Sequence, residues 1–361
     1  MSVDVTKFRS YTNTANCCLD VKIEGVWSED ISGHVFIVAP FHRQHDRHLF
    51  AGEGVVIDWN LQPQQGKIQV RSKKLDTWDS FWHSNSVQLP FTELLPEAFF
   101  PARLGMIGIG ELANTAIVNM NGRLVLTADA GRYWEVDPLT LETITPIGYF
   151  DEHIVSIPFS FFPLVANTAH PFYDPNTKEL ISCQLKSYPR LGSLFVDMLS
   201  GVYITRWDGE GTLRHWELAG TVLDGSPHTT IVTEDSIMIP DMPFQMGVAM
   251  LLGIKVSPRK AYSKTQIYTV DRSDMKIGQT TVPSRLITFD GDSYHFLCNY
   301  KRDRAGNITM VAVQQATISV SQAIAPYDVK HFSGKSYSQE YHGIPWMFAF
   351  DPGVLLDTPT P

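Results

Sequence analysis

Short runs of β-branched and aromatic residues, each closed by Gly, Asp, Asn or Pro, recur along the chain and leave little room for amphipathic helices. Residues 33–39, 55–59, 67–70, 116–119, 123–127, 213–216, 266–270 and 309–313 are examples. Such runs read as strands, because successive side chains of extended backbone point to opposite faces and pack best when branched or flat. Between them stand Asn121-Gly122, Asp208-Gly209, Asp224-Gly225 and Asp290-Gly291-Asp292, whose residues tolerate left-handed backbone and close hairpins. The chain is therefore expected to be all-β. A propeller blade takes ~40–50 residues, so the length supplies about seven or eight blades, and we expect a seven-bladed β-propeller. No self-similar repeat marks the blades. Residues 89–110 and 246–253 look less strand-like and are expected to cover one face. No linker or charge block divides residues 1–361, which are read as one domain.

The 361 residues are 43% hydrophobic, ample for a packed core, and only 19% charged. A formal net charge of -9 and a pI near 5.7 argue against a nucleic-acid surface, which normally needs clustered Lys and Arg. The cysteines Cys17, Cys18, Cys183 and Cys298 lack metal-knuckle spacing, and the adjacent pair is poorly placed to bond to itself, so a reducing compartment is expected. Residues 1–13 are polar and carry no secretory pattern, which makes cytoplasmic the expected location. No apolar run is long enough to span a bilayer, while contact with a membrane surface stays open.

Three histidines sit where few charges explain them as surface residues. His170 lies in Thr168-Ala169-His170-Pro171, between an apolar run and the turn signal Asp174-Pro175. His228 lies in Pro227-His228-Thr229-Thr230, and His295 in Tyr294-His295-Phe296-Leu297. Histidines on the inner strands of successive blades would converge on one metal, and their separations of 58 and 67 positions permit this. Imidazole suits iron, zinc and copper alike, so ligand type alone does not choose the ion. The histidines at 34, 42, 45, 48, 83, 153 and 215 are expected to be ordinary surface or core residues. Asp208 and Glu210 are read as turn residues rather than as a hydrolytic acid pair.

These segments, taken with Gly52-Glu53-Gly54, Ala113-Asn114-Thr115-Ala116 and Ile239-Pro240-Asp241-Met242-Pro243, give the chain a family likeness from about residue 19 to 303. It resembles the carotenoid cleavage oxygenases, which include apocarotenoid- and stilbene-cleaving dioxygenases. The resemblance implies ferrous iron, Fe(2+), held by His170, His228, His295 and a fourth histidine. It implies dioxygen and an apolar polyene or aromatic alkene as partners, with cleavage of a conjugated carbon-carbon double bond to two carbonyl products. It also implies a carboxylate that orients the first histidine, here Asp129, where the family has the longer glutamate. Thr229 and Cys298 replace the family's usual aspartate and asparagine. The family's fourth ligand lies in a His-Gly context near its C-terminus, which leaves two readings. His342, in Tyr341-His342-Gly343, is the candidate within this chain, with His331 a weaker one. The expected alternative is that the family's closing region and fourth ligand lie beyond Pro361. The apolar segments 157–165 and 242–252 are read as core, or as the greasy entry through which such an enzyme draws substrate from a membrane. A non-catalytic propeller that binds an apolar ligand, and a propeller glycosidase, are the alternatives of other classes.

Overall fold

The computed structural model describes residues 16–41, 53–77, 80, 111–156, 165–189, 198–242, 264–290 and 293–314. All eight strand runs named above fall in strands. The first sheet holds β1 (Cys17–Lys22), β2 (His34–Phe41), β3 (Glu53–Gln64) and β4 (Lys67–Lys74) in the order β1-β4-β3-β2. The second is the meander β5 (Ala116–Met120), β6 (Arg123–Thr127), β7 (Trp134–Val136) and β8 (Thr143–Pro146). The third runs β10 (Phe172–Asp174), β11 (Glu179–Pro189), β12 (Met198–Trp207) and β13 (Arg214–Leu223), with β9 (Ala166–Asn167) paired to β11. The fourth holds β14 (Ile231–Val232), β15 (Ser236–Asp241), β16 (Lys264–Asp271) and β18 (Arg285–Asp290). Between its last two strands, β17 (Thr281–Val282) crosses back to add in parallel to β13, which ties the third and fourth sheets together. The fifth pairs β19 (Ser293–Cys298) with β20 (Met310–Gln314).

The turn chemistry explains the meanders locally. Asn121 and Gly122 both take positive φ, 53° and 91°, between the paired Met120 and Arg123. That is the two-residue loop whose twist matches a right-twisted hairpin.

Packing between sheets follows from side-chain alternation. On β15, Ile237 and Ile239 join the core of the third sheet with Ile181, Val202 and Ile204. Met238, one residue along, points the other way and packs with Phe296 of the fifth sheet. On β6, Leu126 packs with Val56 and Trp134, whereas Val125 packs with Leu180 and Trp207 of the third sheet. Each central sheet is thus apolar on both faces and sandwiched by its neighbours. Full burial of one such Ile, Leu or Val contributes about 1.5–3 kcal/mol, so the stacked faces dominate the stabilisation.

One edge strand of each sheet contacts an edge strand of the next, from β2 to β5, β5 to β10, β10 to β14 and β14 to β19. Successive sheets joined edge strand to edge strand in this way are the propeller arrangement expected from the sequence. Five sheets are made by the described residues. Residues 89–110 and 246–253 lie outside them, as do most of 157–165 and 242–252. The ends of these last two segments that are described, Val165 and Met242, are buried. Among the described residues no helix is long and apolar enough to cross a membrane, and all four cysteines are free.

Candidate metal centre

His170, His228 and His295 come from three different sheets or their leading segments, and they converge. Their ring centroids are 4.7, 5.1 and 4.9 Å apart, with interplanar angles of 80°, 73° and 70°. The rings form a near-equilateral triangle in which each stands edge-on to the others. One ligand atom from each lies within 4.8 Å of those of the other two, so the group could hold a metal ion.

Backbone pairing produces this convergence. The His170 amide donates to the carbonyl of His228 at 3.0 Å, and the Thr230 amide donates to the carbonyl of His170 at 3.0 Å. This isolated parallel bridge between His170 and Thr229 joins the third sheet to the fourth. Beneath it, Thr127 Oγ1 donates to the Ala169 carbonyl at 2.5 Å, and the Tyr133 hydroxyl donates to the Thr168 carbonyl at 2.6 Å. His295 enters from β19 at a register shift between Ser293 and His295. Such a bulge lets a strand re-aim a side chain.

Asp129 sits among these groups. Its Oδ1 accepts from the Ala169 amide at 3.1 Å, and its carboxylate accepts from His228 Nδ1 at 2.8 and 3.0 Å. The sequence expectation assigned it to the first histidine, but the ring it holds is that of His228. The parallel bridge lays residue 228 beside residue 170, and the short aspartate, anchored on the Ala169 amide, reaches across to the neighbouring strand. Because a carboxylate only accepts, Nδ1 of His228 carries the proton, and Nε2 keeps its lone pair for a ligand. Replacing Asp129 by alanine is expected to weaken metal binding by about 10- to 100-fold with the fold retained. Titration of the folded variant with cobalt(II) measures this, and an unchanged affinity would count against the assignment.

The other two rings are disfavoured from taking up a second proton. Burial first, and then the neighbouring His228 and His295, bring His170 down to about 2. Burial and then His228 bring His295 down to about 4. His295 is exposed as a whole residue, yet its ring lies within 5.1 Å of two others, and that enclosure governs its proton. Three converging imidazoles are a donor set that fits a divalent first-row cation such as ferrous iron.

A family model described as retinal pigment epithelial membrane protein, the carotenoid oxygenase family, matches residues 8–354. The chain belongs to this family. Among its relatives, resveratrol cleavage oxygenase 1 of Chaetomium globosum is 24% identical over 240 residues, 63% of this chain and 36% of that protein. Among solved structures, cobalt-substituted Synechocystis apocarotenoid oxygenase is 16% identical with a TM-score of 0.56, covering 86% of this chain and 64% of that one. Lignostilbene dioxygenase of Pseudomonas brassicacearum is 20% identical with a TM-score of 0.50, covering 79% and 55%. The chain thus spans about a third of the curated relative and roughly half to two thirds of these carotenoid oxygenase structures, with which it shares the propeller fold.

Against the family pattern, Thr229 has its Oγ1 buried and without a hydrogen-bond partner among the described residues. Cys298 directs its thiol at the Val232 carbonyl, 3.7 Å away, and burial raises its pKa. His342 and His331 lie outside the described residues. The histidines read as ordinary behave so where described. His34 bonds to Asp58, His153 to Gln184 and the Ile147 carbonyl, and His215 to Thr205 and the Glu152 carbonyl. His42, His45, His48 and His83 lie outside the described residues. Asp208 accepts from the amides of Glu210 and Gly211 and pairs with Arg214, as a turn residue does. The glycosidase alternative therefore loses its acid pair.

Proposed function

We propose that the chain binds ferrous iron through His170, His228 and His295 and acts as a dioxygenase on a carotenoid, apocarotenoid or stilbene-like substrate, cleaving a conjugated double bond to two carbonyl products. The observation that carries this is the triangle of three converging imidazoles in a chain of the carotenoid oxygenase family. Ferrous iron, when bound, supplies the one-electron chemistry that lets dioxygen react with an alkene. The protein's part is positioning and exclusion. Asp129 fixes the tautomer of His228, the bridge at Thr229 fixes His170, and β19 fixes His295. With His170 and His295 held neutral by burial, those two donors are ready without loss of a proton. His342 is our candidate for a fourth ligand. An apolar polyene or aromatic alkene is the substrate class we assign, with dioxygen as co-substrate. We place the protein in the cytoplasm, in peripheral contact with membranes that hold such substrates.

The test has two arms. Anaerobically purified protein should carry near-stoichiometric iron, and incubation with resveratrol or an apocarotenal in air should give two carbonyl fragments, identified by mass spectrometry. Protein without affinity for iron would sink the reading. Iron-loaded protein that binds these alkenes without cleaving them would support the non-catalytic binder instead.

A further inference from the structure

Arg272 opens the single 3-10 turn that follows β16, and nothing above gives it a role. Its guanidinium touches one group from each of the three segments that bear the histidines. Nη1 lies 2.7 Å from Oδ2 of Asp174, donates to the Thr233 carbonyl at 2.9 Å, and reaches the Tyr300 hydroxyl at 3.3 Å. Asp174, Thr233 and Tyr300 stand four, five and five positions beyond His170, His228 and His295. The Tyr300 hydroxyl donates to the same Asp174 oxygen at 3.0 Å, and its ring stacks on Phe172 with centroids 6.2 Å apart.

The three segments run in the same direction. The bridge between His170 and Thr229 is parallel. Cys298 then meets the Val232 carbonyl, and the Glu234 amide donates to the Tyr300 carbonyl, so β19 advances alongside β14. At ~3.3 Å per residue, the arginine sits about 13 to 17 Å along these segments from the imidazoles. The segments belong to different sheets, and no continuous ladder fixes one against the next. A slip of one residue in any of them would turn its side chains to the opposite face. We propose that Arg272 is a positioning residue for the imidazole triangle, setting the mutual register of the three histidine-bearing segments from their far ends.

The surroundings suit that task. The Asp174 side chain is fully buried and that of Arg272 is 10% exposed, so the pair is shielded from salt and water. Burial pushes the Asp174 carboxyl upward, but the Asn176 amide, Arg272 and Tyr300 outweigh it and hold the group ionised. Hydrogen bonds between charged groups are about twice as strong as neutral ones and more directional, which fits a register pin.

The inference rests on the proposed metal site, and two readouts on the full chain keep the two ideas apart. Cobalt(II) titration, followed by visible absorption, reads the assembled site. The imidazole resonances of His170, His228 and His295 in metal-free protein read the triangle alone. For folded Arg272→Gln, cobalt(II) affinity is expected to fall about tenfold, with a changed absorption band and shifted signals from all three rings. Arg272→Lys, which keeps the charge but not the fork, should recover part of both. Tyr300→Phe removes the two hydroxyl contacts of the hub but keeps the Arg272–Asp174 pair, is expected to shift the ring signals less, and serves if Arg272→Gln does not fold. Wild-type protein that takes up no cobalt(II) would count against the metal reading. Ring signals that stay in place in folded Arg272→Gln and Tyr300→Phe would overturn the positioning role.

Discussion

Replacing His170 by alanine is expected to strip iron from the chain while leaving it folded. The two effects separate because the backbone and the ring of His170 have different tasks. Its amide and carbonyl carry a backbone bridge between the third and fourth sheets, through the His228 carbonyl and the Thr230 amide, and alanine keeps both bonds. The imidazole has the most depressed proton affinity of the three, at about 2, because burial and two neighbouring rings disfavour its charged form. It is therefore a neutral lone-pair donor at neutral pH. Removing it leaves two rings, His228 and His295, whose centroids are 4.9 Å apart. Loss of a partner that merely orients a ligand weakens binding by about 10- to 100-fold, so loss of a ligand should exceed about 100-fold. Iron per chain after anaerobic loading should drop from near stoichiometric to background, with the far-UV dichroism unchanged. A folded variant that keeps its iron would remove His170 from the site.

The fold was legible in the sequence because its signals are local. Asn121-Gly122 needs positive φ at both positions, and the hairpin from Met120 to Arg123 has it. The run at 266–270 largely alternates in step with the pleat on β16, whereas that at 123–127 is buried on both faces of β6. The histidines stood out by their apolar settings, and their order matched the carotenoid oxygenases. What joins them was not legible, because it depends on partners far apart in sequence. Asp129 holds a ring 99 positions away rather than the nearer His170, a choice made by the parallel bridge between two sheets. Arg272 reads in sequence as a polar residue leaving a strand, in Asp271-Arg272-Ser273-Asp274. Its hub appears only when Asp174, Thr233 and Tyr300 are brought together by three separate meanders. Thr127 and Tyr133 likewise support the His170 segment through carbonyls that no side-chain pattern advertises.

Asp224-Gly225, expected to close a hairpin through left-handed backbone, instead links the third sheet to the fourth and needs its glycine for a different physical reason, and it carries the largest stability change we expect. Read as a turn glycine, Gly225 should take positive φ. It is not among the glycines that do, unlike Gly122 and Gly209. Its requirement is space. A Cβ at this position would lie 1.7 Å from the Met242 carbonyl oxygen, 2.8 Å from that carbonyl carbon and 3.0 Å from Asp241 Oδ1. The first two contacts are backbone, so rotation of a side chain offers no relief. The same Asp241 carboxylate accepts from the amides of Asp224 and Gly225 at 3.1 and 2.8 Å, drawing the loop onto the end of β15. Gly225→Ala must push this loop off, break those bonds and disturb the buried Met242. Overpacking alone costs about 1–3 kcal/mol, and lost charged hydrogen bonds add to it, so a total of about 3 kcal/mol or more is expected. Gly220→Ala provides the contrast. Gly220 has φ of +67° but nothing within 4 Å of its would-be Cβ, so its cost is confined to backbone strain of about 1 kcal/mol. Denaturant melts of the two variants side by side should rank them in that order, and equal losses would refute the close-approach account. The damage should also reach the metal centre. His228 begins three residues beyond Gly225, and its amide is seated 3.4 Å from the Met242 sulfur, so displacing the loop moves the ring that Asp129 holds. Iron content in Gly225→Ala should therefore fall even at temperatures where the variant is still folded, whereas Gly220→Ala should keep its full complement.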